Sequence, residues 1–138
     1  MGAEPTKRAV CLVRSAQSIW AADCLPANKG RASRVHGLID AFNLDKLFTV
    51  KAPHAATDDE LCRFHSEEYI RAVCSSEEYA DSSQDDEDSQ SDNQRFGLEY
   101  DCAVFDQMEQ HVRYVAGGTI SAAGALTSGD ADIAIHWE

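Results

Sequence analysis

Long apolar runs are missing from this sequence of 138 residues. The longest, Ala9-Val10-Cys11-Leu12-Val13, holds five residues. A membrane-spanning helix needs about 20 and the apolar part of a secretory signal about 7–15, so no membrane partner and no secretion are expected. Bases are also scarce: 12 Lys and Arg stand against 24 Asp and Glu, a net charge of −12. Nucleic-acid binding draws on clustered Lys and Arg that replace counterions on phosphate, so no direct nucleic-acid binding is expected. Three prolines and eight glycines are too few for collagen or a low-complexity polymer. Five cysteines, an odd number without a secretory segment, are expected to be reduced thiols inside the cell. Met1-Gly2-Ala3-Glu4-Pro5-Thr6 fits the loose myristoylation template, but Lys7-Arg8 make a weak second anchor. Residues 1–7 are therefore read as a flexible tail.

What is present is ordinary globular material, 43% apolar and 26% charged, enough for one domain or part of one. The acidity is local. Residues 75–94 hold eight acids and no base, and taking these from the net of −12 leaves −4 for the other 118 residues. Within that segment Tyr79 and Ala80 are the apolar residues, too few to offset the entropy of ordering it. Residues 75–94 are expected to form a disordered acidic loop.

Arg8 to Val13 reads as a buried strand. Gly30-Arg31-Ala32-Ser33 opens a helix whose Val35, Leu38, Ile39 and Phe42 recur at i, i+3, i+4 and i+7, predicting one buried face. Asn43 is a plausible stop. Lys51-Ala52-Pro53 reads as an extended connector. Thr57-Asp58-Asp59-Glu60 is a capping box with acids at the positive end of a helix, and Leu61 and Phe64 follow as expected buried contacts. Ser66-Glu67-Glu68 starts another helix, with Tyr69, Ile70 and Val73 behind it. From Phe105 the longest helical stripe runs through Met108, Val112, Val115, Thr119, Ala122 and Leu126. Gly117, Gly118 and Ala122 to Ala125 leave little side-chain bulk, so another segment can pack close. Gly129 suits the helix stop, and Ile133-Ala134-Ile135 reads as a strand. The order strand, helices, strand is an α/β pattern of three layers. Two strands are too few for a stable sheet, so an incomplete parallel sheet is expected. In open sheets of this kind chemistry lies beyond the carboxyl ends of strands, where Trp137-Glu138 stand.

Nucleophile signals are absent: there is no Gly-x-Ser-x-Gly and no cysteine at a glycine elbow. Cys62 and His65 lack the second pair that a structural zinc site needs, so they read as a buried thiol and a satisfied histidine. Gly117-Gly118 lies inside a helical stripe and reads as close packing rather than a phosphate cradle. Arg31 sits where a cation is unfavourable, at a helix start; it is either simply exposed or held by an anion or carbonyl partner. His36 reads as a core histidine. Asp101, between the acidic loop and the long helix, is either a helix N-terminal acid or a rim carboxylate that grips peptide amides by strong charge-assisted hydrogen bonds.

Several strings are collinear with a known family. Arg31-Ala32-Ser33-Arg34-Val35-His36-Gly37-Leu38-Ile39-Asp40-Ala41-Phe42 resembles the first helix of class I histone deacetylases. Phe64-His65-Ser66-Glu67-Glu68-Tyr69, Phe96-Gly97-Leu98-Glu99-Tyr100-Asp101-Cys102, Gly117-Gly118-Thr119-Ile120-Ser121-Ala122-Ala123 and Ile133-Ala134-Ile135-His136-Trp137 continue the resemblance in order. It covers residues 8–137 and is nearest the type called histone deacetylase eight. The resemblance implies an arginase/deacetylase-like three-layer α/β fold, with residues 8–138 its N-terminal portion. It implies zinc-dependent hydrolysis of N-acetyl-lysine on histone tails or other proteins, in the nucleus and cytoplasm, in the service of chromatin regulation and transcriptional repression. Asp101, with Tyr100 beside it, would bind substrate at the pocket rim. Arg31, His36 and Trp137 would belong to an internal channel, Arg31 held there by backbone carbonyls. Ser33 matches a regulatory phosphorylation position between Arg31 and Arg34.

The departures define what this chain is expected to lack. The family's Gly-Gly-x-His-His string, its Asp-x-His zinc motif, its second zinc aspartate and its catalytic tyrosine are absent. No catalytic residue and no metal ligand is therefore expected in this chain, and zinc is expected only in the full-length family member. His136 stands where asparagine is usual, Glu138 where a small residue is usual and Ala103 where proline is usual. The alternative reading is a non-catalytic short isoform that acts as a binding or scaffold protein.

Overall fold

The computed structural model describes residues 8–74 and 92–138. The expected tail 1–7 and residues 75–91 of the acidic segment lie outside the described residues. Residues 92–94, expected to continue that loop, instead open a helix.

The elements run β1 (Val10–Val13), α1 (Ala16–Asp23), α2 (Arg31–Ala41), β2 (Thr49–Lys51), α3 (Asp58–Leu61), α4 (Glu67–Cys74), α5 (Asp92–Phe96), α6 (Met108–Thr127) and β3 (Ile133–His136). Local chemistry sets most of the boundaries. Ser15 and Ser18 cap α1 reciprocally, each hydroxyl accepting the other's amide at 3.0 Å. Asn43 takes φ +53° just past α2 and Gly129 takes φ +77° just past α6, the left-handed geometry that ends helices. Thr57 Oγ accepts the Glu60 amide at 3.3 Å, and the Glu60 carboxylate accepts the Thr57 amide at 2.9 Å. The Ser66 hydroxyl accepts the Tyr69 amide at 3.3 Å at the start of α4.

The sheet is parallel, with β1 between β2 and β3, and Leu12 lies in register with Val50 and Ile135. Side chains alternate across a strand. Cys11 and Val13 therefore share a face, packed on Ala125 and Ala131 with Ala122 and Ala134 beside them. Leu12 points the other way and is equally buried. Both faces of the central strand are covered, as parallel strands require. Full burial of a Val or Leu side chain contributes about 1.5–3 kcal/mol.

The tightest contact lies between α6 and the segment after β2. A Cβ at Gly117 would overlap the His54 carbonyl oxygen and come within 2.9 Å of the Ala56 nitrogen. The Ala56 amide donates to the Arg113 carbonyl at 2.9 Å, and Arg113 Nη1 donates back to the Ala56 carbonyl at 2.9 Å. Arg113 also pairs with Asp58 and Glu109, each at 2.8 Å. The close-packing reading of Gly117-Gly118 is thus the observed one.

Glu60 carries a pH-dependent share of this join. Chiefly the Thr57 amide, and then His54, hold its carboxyl below the usual carboxylate range against the opposing effect of burial. A depressed folded value means that the contribution is fully present above the ordinary glutamate pKa and fades as pH falls through the folded value. Glu60→Gln is therefore expected to melt earlier than the parent at pH 7. The gap should shrink as pH falls from neutral through the ordinary glutamate value and on below it, a trend that circular-dichroism melts at a series of acidic pH values would check.

Four expectations need correction. A helix, α1, lies between the first strand and α2, and a third strand, β2, runs into the expected connector at Lys51. The α2 face is not the predicted one. Ala32 and His36, four residues apart, are buried, whereas Leu38 and Phe42 are exposed, Phe42 by 71%. Val35 and Ile39, on the same predicted face, are only half-buried. Phe64 is likewise exposed and meets the edge of the His65 ring at 4.9 Å instead of entering the core.

Candidate functional site

The carboxyl end of β3 is where α2 delivers two side chains. Arg31 follows Gly30, whose φ of +74° turns the chain into the helix. Its Nη2 donates to the Glu138 carbonyl at 3.0 Å, and its guanidinium carbon lies 6.0 Å from the Trp137 ring centroid. Both readings of Arg31 hold together: the residue is exposed and also has a carbonyl partner.

One turn along, His36 is buried, with Nε2 3.2 Å from the Trp137 carbonyl. A carbonyl only accepts, so Nε2 carries the hydrogen. Nδ1 is buried without a hydrogen-bond partner among the described residues. Arg31, His36 and Trp137 are thus brought together around two consecutive backbone carbonyls.

Ser33 lies on the exposed side of the same helix turn. Its amide donates to Asp23 at 3.3 Å, and its hydroxyl donates to the other oxygen of that carboxylate. This bond ties the end of α1 to the start of α2. Tyr100 stands apart from the β3 cluster, in a tight 3-10 turn (Tyr100–Cys102) with φ +53° and 93% exposure. It lines a mostly apolar cleft of about 420 Å³ with Leu25, Pro26, Tyr69 and Met108. Asp101 occupies the middle of that turn, and its side chain is outside the described set.

A further chain of polar contacts went unseen in the sequence. His54 Nδ1 shares a hydrogen bond with Ser121 Oγ at 3.2 Å, and Nε2 donates to the Glu60 carboxylate at 3.0–3.1 Å. The order Ser, His, acid resembles a nucleophilic relay. Ser121, however, is buried in the middle of α6 rather than raised on a turn beyond a strand. The contacts clip the 54–60 segment to α6, 67 residues away in the chain. No spacing pattern in the sequence points to it.

Three of the five thiols are held in the unreactive form. Burial is the leading cause pushing the Cys24, Cys62 and Cys74 thiols up, which makes them poor thiolates near neutral pH. All five cysteines are free. Among the described residues no three His, Cys, Asp or Glu side chains gather to hold a metal ion, and no described helix is long and apolar enough to cross a membrane. The described site can bind and position. Its geometry assigns no bond-breaking group.

Comparison with known proteins supplies the context. A family model described as the histone deacetylase domain matches residues 25–137. Histone deacetylase 8 of Danio rerio is 35% identical over 130 residues, covering 94% of this chain and 33% of that protein. Histone deacetylase 8 of Xenopus tropicalis is 35% identical over 107 residues, or 78% of this chain and 27% of that protein. Histone deacetylase 1 of Oryza sativa subsp. japonica is 31% identical over 138 residues, or 99% of this chain and 26% of that protein. The chain spans about a third or less of the length of these relatives.

Proposed function

This chain belongs to the histone deacetylase family, and from that membership we propose that it is the N-terminal portion of a zinc-dependent protein lysine deacetylase. The substrates are N-acetyl-lysine side chains on histone tails or other proteins, in the nucleus and cytoplasm. The fold is the arginase/deacetylase type, of which the parallel β2-β1-β3 sheet is one edge region. The observation that carries the reading is the collinear match over residues 25–137. Bound zinc would activate the water that attacks the acetyl carbonyl. Among the described residues no three His, Cys, Asp or Glu side chains gather to hold zinc, and the roles read for the residues below are structural and substrate-facing.

Asp101, supported by Tyr100 at the exposed turn, grips the substrate backbone at the pocket rim. Arg31, His36 and Trp137 form the wall of an internal channel, which the Arg31–Glu138 carbonyl contact supports. The test is to read the complete coding sequence and assay its product. It should continue past Trp137 into Gly-Gly-x-His-His, and the product should deacetylate an acetyl-lysine peptide and lose that activity to a zinc chelator. A complete protein without acetyl-lysine turnover would refute the reading.

Ser33 is the regulatory position. Phosphate there adds about −1.5 to −2 charge beside the Asp23 carboxylate, breaks the tie between α1 and α2, and draws Arg31 off the Glu138 carbonyl. In the complete protein Ser33→Glu should lower turnover roughly threefold or more, while Ser33→Ala keeps most of it. Equal activities would remove the role.

A further inference from the structure

We propose that His136 and Glu138 form a buried imidazolium–carboxylate ion pair that locks the carboxyl end of β3 onto α6. The His136 ring lies over Gly118, where a Cβ would come within 2.5 Å of the imidazole Cε1. Only a glycine leaves room for it there. Thr119 Oγ1 donates to the Val115 carbonyl at 3.2 Å, so its one hydroxyl hydrogen is committed. Toward His136 Nδ1, 3.3 Å away, it therefore accepts, and Nδ1 carries a hydrogen.

The other nitrogen, Nε2, lies 3.4 Å from Glu138 Oε1, with the two side chains 10% and 3% exposed. Neither Nε2 nor either carboxylate oxygen has a hydrogen-bond partner among the described residues. A neutral imidazole with its hydrogen on Nδ1 would turn the Nε2 lone pair toward a buried carboxylate, and a buried charge without a partner is costly. A proton on Nε2 removes the conflict by setting a positive ring beside the carboxylate. Imidazole is a stronger base than carboxylate, so the proton resides on Nε2 and the pair is imidazolium with carboxylate.

The surroundings leave this pair to itself. From Tyr114 to Thr127 α6 has no charged residue. From α2, Arg31 is directed at the Glu138 backbone carbonyl and His36 at the Trp137 carbonyl. From β1, the register partner of His136 is Val13. These two residues are also positions where the sequence departs from its family's pattern, and here they touch. The pair positions the segment at which an open parallel sheet presents its chemistry, and the inference does not depend on the deacetylase reading.

The test uses the 138-residue chain with ¹⁵N-labelled histidine at pH 7. His136 should show both ring nitrogens protonated. Glu138→Gln keeps the shape and offers an amide hydrogen to Nε2, so it should return His136 to the neutral form with hydrogen on Nδ1. His136→Asn alone should lower the melting midpoint by roughly 5 °C or more, and His136→Asn with Glu138→Ser should recover at least half of that loss. A neutral His136 in the parent chain, or losses that simply add in the double variant, would overturn the pair. Should His136→Asn fail to fold, the Glu138→Gln spectrum decides by itself.

Discussion

Gly117→Ala is expected to lower the melting midpoint of this chain by roughly 10 °C or more, while Gly124→Ala, two turns along the same helix, raises it. Alanine is the better helix former at both positions, by about 1 kcal/mol. At Gly124 nothing lies within 4 Å of the added carbon, so that gain should be realised. At Gly117 the added carbon meets the His54 carbonyl oxygen and the Ala56 nitrogen, both backbone atoms. Neither can step aside easily, because hydrogen bonds between Ala56 and Arg113 hold that backbone in both directions. Overpacking of this kind costs about 1–3 kcal/mol and sometimes more. Gly118→Ala should fall between the two, since its obstacle is the His136 side chain, which is displaced only by giving up its contacts with Thr119 and Glu138. Circular-dichroism melts of the three variants check the order, and equal shifts at Gly117 and Gly124 would contradict the close approach.

Asp101→Ala in the complete protein is expected to cut kcat/KM for an acetyl-lysine peptide by roughly 10- to 100-fold, mostly through KM. A hydrogen bond to a charged group contributes about 1.5–3 kcal/mol, and each 1.4 kcal/mol is tenfold. Asp101→Asn should recover part of the loss, because the amide oxygen still accepts from a peptide amide. Tyr100, the preceding residue, is almost wholly exposed in a turn of positive φ, which suits a loop tip that meets a passing chain. Steady-state kinetics on one peptide decide it, and an Asp101→Ala protein with unchanged KM would remove the residue from the rim.

The two predictions differ in how far the sequence alone could carry them. Close packing at Gly117 was legible because a run of small residues inside a helical stripe has few other uses. The caps were legible for the same local reason: Thr57 with Glu60, Asn43 and Gly129 act within one turn of themselves. Burial was less so. Leu38 and Phe42 satisfy the helical period, yet period reports only which residues share a face, and what covers that face is settled elsewhere in the chain. The strand Thr49–Lys51 has three residues, all exposed, and so no alternation to read. The site divides along the same line. A cation at a helix start left open simple exposure or an anion or carbonyl partner, and Arg31 is exposed with a carbonyl partner. The His54–Ser121 clip joins distant residues that no spacing rule connects, and His136 with Glu138 stood out only as departures from a family string.

On the proposed function, this stretch supplies scaffold and rim while the amide-cleaving chemistry belongs to the rest of the protein. The most direct measurement dialyses the 138-residue chain and the complete protein side by side against zinc, then offers each the same acetyl-lysine peptide. The complete protein should retain zinc and release acetate, and the chain alone should retain no stoichiometric zinc and match a blank without protein. Stoichiometric zinc and turnover by the chain alone would contradict it.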